Sequence, residues 1–220
     1  MGSAHRGVRL FDTHAHPQFA RFDDDRHEML HRASAVGIHM ICVGVDLESS
    51  RAAIALAQAY PGVYASVGLH PNDNLLERYD QSGYEELSVH PKVVAIGEIG
   101  LDYYRTAEPR LQDAQRERFV QQLALVKSTG KPAIIHCRSA HHDMRTLLDA
   151  HGIRSGVIHS FTGTWEDARF YLDIGLHIGL NGIVTFARDY DETVVNTPLN
   201  RILLETDSPY LAPNPYRGRR

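Results

Sequence analysis

Six residues stand where imidazole and carboxylate groups could meet: His14 and His16 in Asp12-Thr13-His14-Ala15-His16, Glu98 in Gly97-Glu98-Ile99-Gly100, His136 in Ile135-His136-Cys137-Arg138, His159 in Ile158-His159-Ser160-Phe161, and Asp207 in Glu205-Thr206-Asp207-Ser208-Pro209. His14 and His16 lie two apart in an extended run, so both rings point to one side. A lone histidine at a strand end is more often a hydrogen-bonding residue than a ligand. Six residues of ligating type at five strand ends are not accounted for that way. Together they exceed the needs of one four-coordinate zinc. They suit two divalent cations about 3.5–4 Å apart that share a carboxylate. The reading places His14, His16 and Asp207 on one cation, His136 and His159 on the other, with Glu98 bridging. Two cations so held can generate a bridging hydroxide as nucleophile, with Asp207 orienting it or taking its proton. Zinc, manganese and magnesium all stay open, because imidazole favours zinc while phosphodiester chemistry often runs on the other two.

Other residues in the same blocks have supporting roles. His70, in Gly68-Leu69-His70-Pro71, and Glu205 read as partners of the ligands, although Glu205 equally fits a buried carboxylate bonded to a neighbour. Arg138, Tyr103, Arg105 and Phe161 flank these blocks and, for a nucleic-acid substrate, could contact phosphate or stack on a base; surface loop residues in solvent fit equally. For Phe161 a buried aromatic plug fits as well. Cys137 reads as a core residue beside His136, and the remaining histidines as surface or packing residues.

The elements that must position these groups alternate along the chain. Short apolar runs at Val8–His14, Ile38–Val45, Val63–Leu69, Val93–Glu98, Ala133–His136, Val157–His159, Leu176–Asn181 and Ile202–Glu205 read as strands. Amphipathic patterns at Asp24–Val36, Glu48–Tyr60, Arg110–Thr129, His141–His151 and Thr164–Ile174 read as helices, with weaker, shorter ones in Pro71–His90 and Arg188–Pro198. Gly37, Gly130, Gly152 and Gly175 fall where left-handed helix caps are expected. Strict alternation implies parallel strands in either a barrel or a doubly wound sheet. Every ligating residue falls at the carboxyl end of a strand, the face that carries the active site in a barrel.

The segments FDTHAH, GLHP, IGEIGLD, IIHCR, IHSFTG and LLETDSPYLAP resemble the signature blocks of the TatD hydrolases, in order, from about Leu10 to Arg219. The HxH pair alone also opens the wider amidohydrolase superfamily; the six blocks together are specific. The resemblance implies a TIM-like (β/α)₈ barrel, a divalent metal pair and deoxyribonuclease activity, often exonucleolytic from the 3′ end. Its ligand positions fall on His14, His16, Glu98, His136, His159 and Asp207. Members of that family continue past PYRGRR with a final helix, so the expectation here is a barrel lacking its last helix. The stretch from Asp189 to Thr197 also looks shortened.

At 220 residues, the chain suffices for one domain, spanning 1–220 and short for a barrel of this kind. The net charge of −4 offers no global field for nucleic acid, so attraction to phosphate must be local or come from metal. Twenty of the 23 basic residues are arginine, which favours bidentate phosphate contacts. Two cysteines form no disulfide framework, and no apolar run approaches a membrane span. The expectation is a cytoplasmic enzyme acting on single-stranded DNA or strand ends. Two alternatives are a metal-dependent amidohydrolase or aminoacyl-tRNA ester deacylase, and a degenerate barrel kept as a binding module. Six intact ligand positions speak against the second. The absence of a lysine at the fourth strand end, where many binuclear amidohydrolases carry a carboxylated one, speaks against the first.

Overall fold

The computed structural model describes residues 10–72 and 78–219. Its strands are β1 (Leu10–Ala15), β2 (Ile38–Val43), β3 (Val63–Val67), β4 (Val93–Asp102), β5 (Ala133–Arg138), β6 (Gly156–Ile158), β7 (His177–Leu180) and β8 (Ile202–Leu204). Between them run α1 (Arg26–Ala35), α2 (Leu47–Ala59), α3 (Gln81–Ser88), α4 (Pro109–Thr129), α5 (His141–Ala150), α6 (Trp165–Asp173) and α7 (Asp191–Asn196). Neighbouring strands are parallel and follow chain order from β1 to β8. A doubly wound sheet would reverse its order at a switch point. This one does not. The sheet curls into a nearly closed (β/α)₈ barrel.

Parallel strands covered on both faces need continuous apolar runs. β4 shows this most fully, with nine of its ten residues buried. Ile96, Ile99, Ile135, Ile158 and Ile178 are fully buried in the principal core. Helix ends follow from local chemistry. Asp46 accepts a hydrogen bond from the Ser49 N–H at 2.6 Å, while the Ser49 hydroxyl accepts from the Asp46 N–H, a capping box that starts α2. Gly130 ends α4 in the left-handed conformation expected of it, at φ 65°.

The seam between β8 and β1 is not a full ladder. One bridge, Ala15 to Ser208, joins it, with the His16 N–H donating to Ser208 O and the Asp207 N–H to His14 O, each at 2.8 Å. Asp12 adds two links, accepting from the Thr206 N–H at 3.0 Å and from its hydroxyl at 2.7 Å. Among the described residues no helix follows β8, and Leu10, Phe11 and Leu204 lie exposed on the strands flanking this seam. Positions 8 and 9 of the first expected strand, and 73–77 of the weak helical stretch, lie outside the described residues. No described helix is long and apolar enough to cross a membrane.

Candidate metal centre

Two of the site's side chains sit in irregularities of the sheet. Between β1 and β2 the register slips between Asp12 and Ala15, which puts His14 in a bulge. Between β4 and β5 it slips between Ile96 and Ile99, around Glu98. A bulge re-aims the side chain it carries. β4 then passes β5 so closely that a Cβ at Gly100 would lie 2.0 Å from His136 O. Gly100 also adopts φ 146°, so only glycine fits there.

These distortions gather the imidazoles around one carboxylate. Glu98 Oε2 lies 3.3 Å from His14 Nε2 and 3.9 Å from His16 Nε2. Glu98 Oε1 lies 2.8 Å from His159 Nε2, 2.9 Å from His136 Nδ1 and 3.5 Å from His70 Nε2. Asp207 Oδ1 faces His16 Nε2 at 3.5 Å and His14 Nε2 at 3.7 Å. Burial opposes the charge on Glu98, but the surrounding imidazoles outweigh it and hold the carboxyl well below its usual range.

The contacts on the far side of the His16 and His136 rings fit this donor set to a divalent cation. The His16 Nδ1–H donates to Val43 O at 2.8 Å, which leaves the Nε2 lone pair facing inward. His136 Nε2 lies 3.2 Å from Asp102 Oδ2, so donation there leaves Nδ1 free on the Glu98 side. His14 Nε2 and His16 Nε2 are 3.1 Å apart, two inward-facing nitrogens beside an anionic oxygen. His70 is different. Its Nδ1 accepts from the Asn72 N–H at 3.1 Å, so its proton sits on Nε2 and points at Glu98. Burial lowers the His70 pKa to about 3, and the ring stays neutral as a donor that steadies the carboxylate.

Glu205 is buried; it accepts from the Ser160 N–H at 2.6 Å and lies 3.5 Å from His159 Nδ1. Arg105 and Arg138 line the cavity above the imidazoles, together with Asp102, Tyr104, Ser160, Tyr190 and Tyr210. Tyr103 and Phe161 do not. The Tyr103 hydroxyl is spent on Asp143, donating at 2.6 Å, and its neighbour Tyr104 takes the place at the mouth. Phe161 is 3% exposed, packed against His141 and Tyr171 as an aromatic plug. Asp102 and Asp12 were not singled out from sequence. Both lie inside motif blocks, Asp102 closing GEIGLD and Asp12 opening DTHAH, and that position was the available signal. Phe19 carries no signal in residue type or spacing; its ring stacks on that of His16 with centroids 4.5 Å apart.

The arrangement is a histidine-rich candidate metal site at the carboxyl-terminal mouth of a barrel. A family model described as "TatD related DNase" matches residues 11–220. The chain belongs to the TatD family. It is 40% identical over 217 residues to a Bacillus subtilis protein named uncharacterized metal-dependent hydrolase YabD, covering 96% of this chain and 84% of the relative. It is 36% identical over 211 residues to the protein named 3′-5′ ssDNA/RNA exonuclease TatD from Cronobacter turicensis, covering 93% and 80% of the two chains. The crystal structure of YjjV, a TatD homologue from Escherichia coli K12, superposes with a TM-score of 0.88 at 32% identity over 96% of this chain and 84% of that one. This TatD-family chain is a metal-dependent hydrolase.

Proposed function

We propose that the chain cleaves phosphodiester bonds of DNA with two divalent cations, trimming single strands from the 3′ end. The observation that carries this reading is the division of imidazoles between the two oxygens of Glu98. Oε2 faces His14 and His16, with Asp207 beside the same pair, while Oε1 faces His136 and His159. A carboxylate with separate imidazoles on each oxygen suits two cations better than one. His14, His16 and Asp207 would hold the first, His136 and His159 the second, and Glu98 both. When bound, such a pair lowers the pKa of water and neutralises charge at a phosphoryl group.

The chain's own residues do the rest. Asp207 borders the cavity beside the His14–His16 pair, where its carboxylate can orient a water molecule or take its proton. Arg105 and Arg138, on the same cavity, supply guanidinium donors for the phosphates of the bound strand. Glu205 and His70 steady His159 and Glu98 from behind. The cavity holds about 660 Å³, within the range of small-molecule pockets and suited to a strand end rather than a continuous duplex. The exonuclease name carried by the Cronobacter relative supports the same polarity.

The test is an assay with manganese, magnesium or zinc on three substrates: end-labelled single-stranded DNA, covalently closed single-stranded circles and an aminoacyl ester. Stepwise shortening of the linear strand with circles left intact is the expected result. Rapid nicking of circles would make the enzyme an endonuclease. Ester hydrolysis without DNA cleavage would replace the nuclease reading altogether.

A further inference from the structure

Tyr104 is 66% exposed, yet the chain on both sides of it is pinned. Before it, the Tyr103 N–H donates to Arg138 O at 2.9 Å, and the Tyr103 hydroxyl is locked between Asp143 and Arg116. After it, the Arg105 N–H donates to Asp102 Oδ1 at 2.9 Å. The other oxygen of that carboxylate lies 3.2 Å from His136 Nε2, so one side chain ties the turn that carries Tyr104 to the metal site. The Arg138 guanidinium lies over the ring, 3.9 Å from its centroid. A cation against one face holds the ring in place by cation–π attraction. Tyr104 also borders the cavity that contains Glu98 and Asp207.

An aromatic ring fixed at the rim of a cavity, backed by a guanidinium and otherwise open, is a platform for a flat partner. We infer that Tyr104, held by Arg138 and the Asp102-pinned turn, stacks on a nucleobase of the bound single strand next to the bond being cut. This rests on the nuclease reading above. Stacking is indifferent to base identity, because every base has a π face, so the platform grips a strand without selecting its sequence. Arg138 serves twice, bracing the ring and remaining near the strand's phosphates. Tyr103, expected from sequence to make such contacts, instead anchors the turn.

The test measures binding apart from turnover. The manganese-loaded protein is titrated with a short phosphorothioate single strand, which resists cleavage, carrying the fluorescent base 2-aminopurine at the terminal or the penultimate position. Wild-type protein should quench one of the two probes. Tyr104→Ala should lose that quenching and bind about 5- to 150-fold more weakly, the usual value of one stacked base. Tyr104→Phe, which keeps the ring, should retain both. An abasic site at the quenched position should weaken wild type as much as the alanine change does, and the two together should cost no more than either alone. Equal affinity and quenching in Tyr104→Ala, or penalties that add, would overturn the platform. If the protein cuts single strands normally in that case, only the platform falls. If wild type neither cuts nor binds them, the nuclease reading falls with it.

Discussion

A carboxylate that is 3% exposed ordinarily sheds its charge, because removal from water favours the neutral acid. Glu98 keeps its charge because His159, His70, His14 and His136 surround it, so its ionisation belongs to the cluster rather than to the residue. Its two oxygens also face different imidazoles, so in the proposed two-cation site the side chain would hold both cations, a role that added metal cannot replace. Glu98→Ala should therefore lower bound metal per chain and abolish turnover even at saturating manganese, with the far-ultraviolet circular dichroism of the barrel retained. Wild-type turnover in that variant would refute the bridging role. At this scale the sequence was most informative about residues defined by chemical type: His14, His16, His136 and His159 lie around Glu98, and Asp207 lies beside His14 and His16. It was least informative where orientation decides. Which of Tyr103 and Tyr104 faces the mouth depends on the turn after β4, and whether Phe161 is open or buried depends on how α5 and α6 pack over it. Neither is written in residue type or period.

Among the elements, the alternation of apolar runs with amphipathic stretches revealed all eight strands, because each strand of a buried parallel sheet must be apolar throughout. The strand ends were less clear. β4 runs on to Asp102, four residues beyond its expected end, because two glycines let it pass close to β5. That extension is what brings Asp102 to His136. Bulges are invisible to a single strand's pattern, since they exist only relative to a partner, and His14 and Glu98 each owe their aim to one. The weakest joint is the β8–β1 seam, where a single bridge is reinforced by Asp12, whose carboxylate accepts from the N–H groups of His14 and Thr206 and from the Thr206 hydroxyl. Asp12→Ala removes all three bonds, a loss of about 1–3 kcal/mol in sum at this partly exposed site. For a chain of this length that corresponds to a drop of roughly 2–12 °C in Tm. Metal affinity should fall as well, because the same seam fixes His14, His16 and Asp207. An unchanged melting curve would mean that the backbone bridge alone closes the barrel.

The molecule as a whole carries a net charge of −4, and that limits how it can hold its substrate. Proteins that grip duplex DNA neutralise six or more phosphates and lose about 10³–10⁵ in affinity between 50 and 200 mM salt. The cavity here offers Arg105 and Arg138 as its cationic side chains, with Tyr104 and Tyr210 as exposed aromatic ones. Two arginines and one phosphate neutralised at the metal site amount to about three contacts. For a single strand the slope is then about −0.7 for each, or roughly −2 in log affinity against log salt. Raising salt from 50 to 200 mM should weaken single-strand binding by only about 10- to 20-fold, measured on the metal-loaded protein with a cleavage-resistant oligonucleotide. On the proposed stacking, the remaining affinity should be largely non-ionic and persist at high salt. Duplex of the same length should bind far more weakly at every salt concentration, because its bases are stacked on one another and withheld from the mouth. A thousandfold loss over that salt range would place an extended phosphate track elsewhere on the surface, and the barrel mouth would no longer be the whole of the binding site.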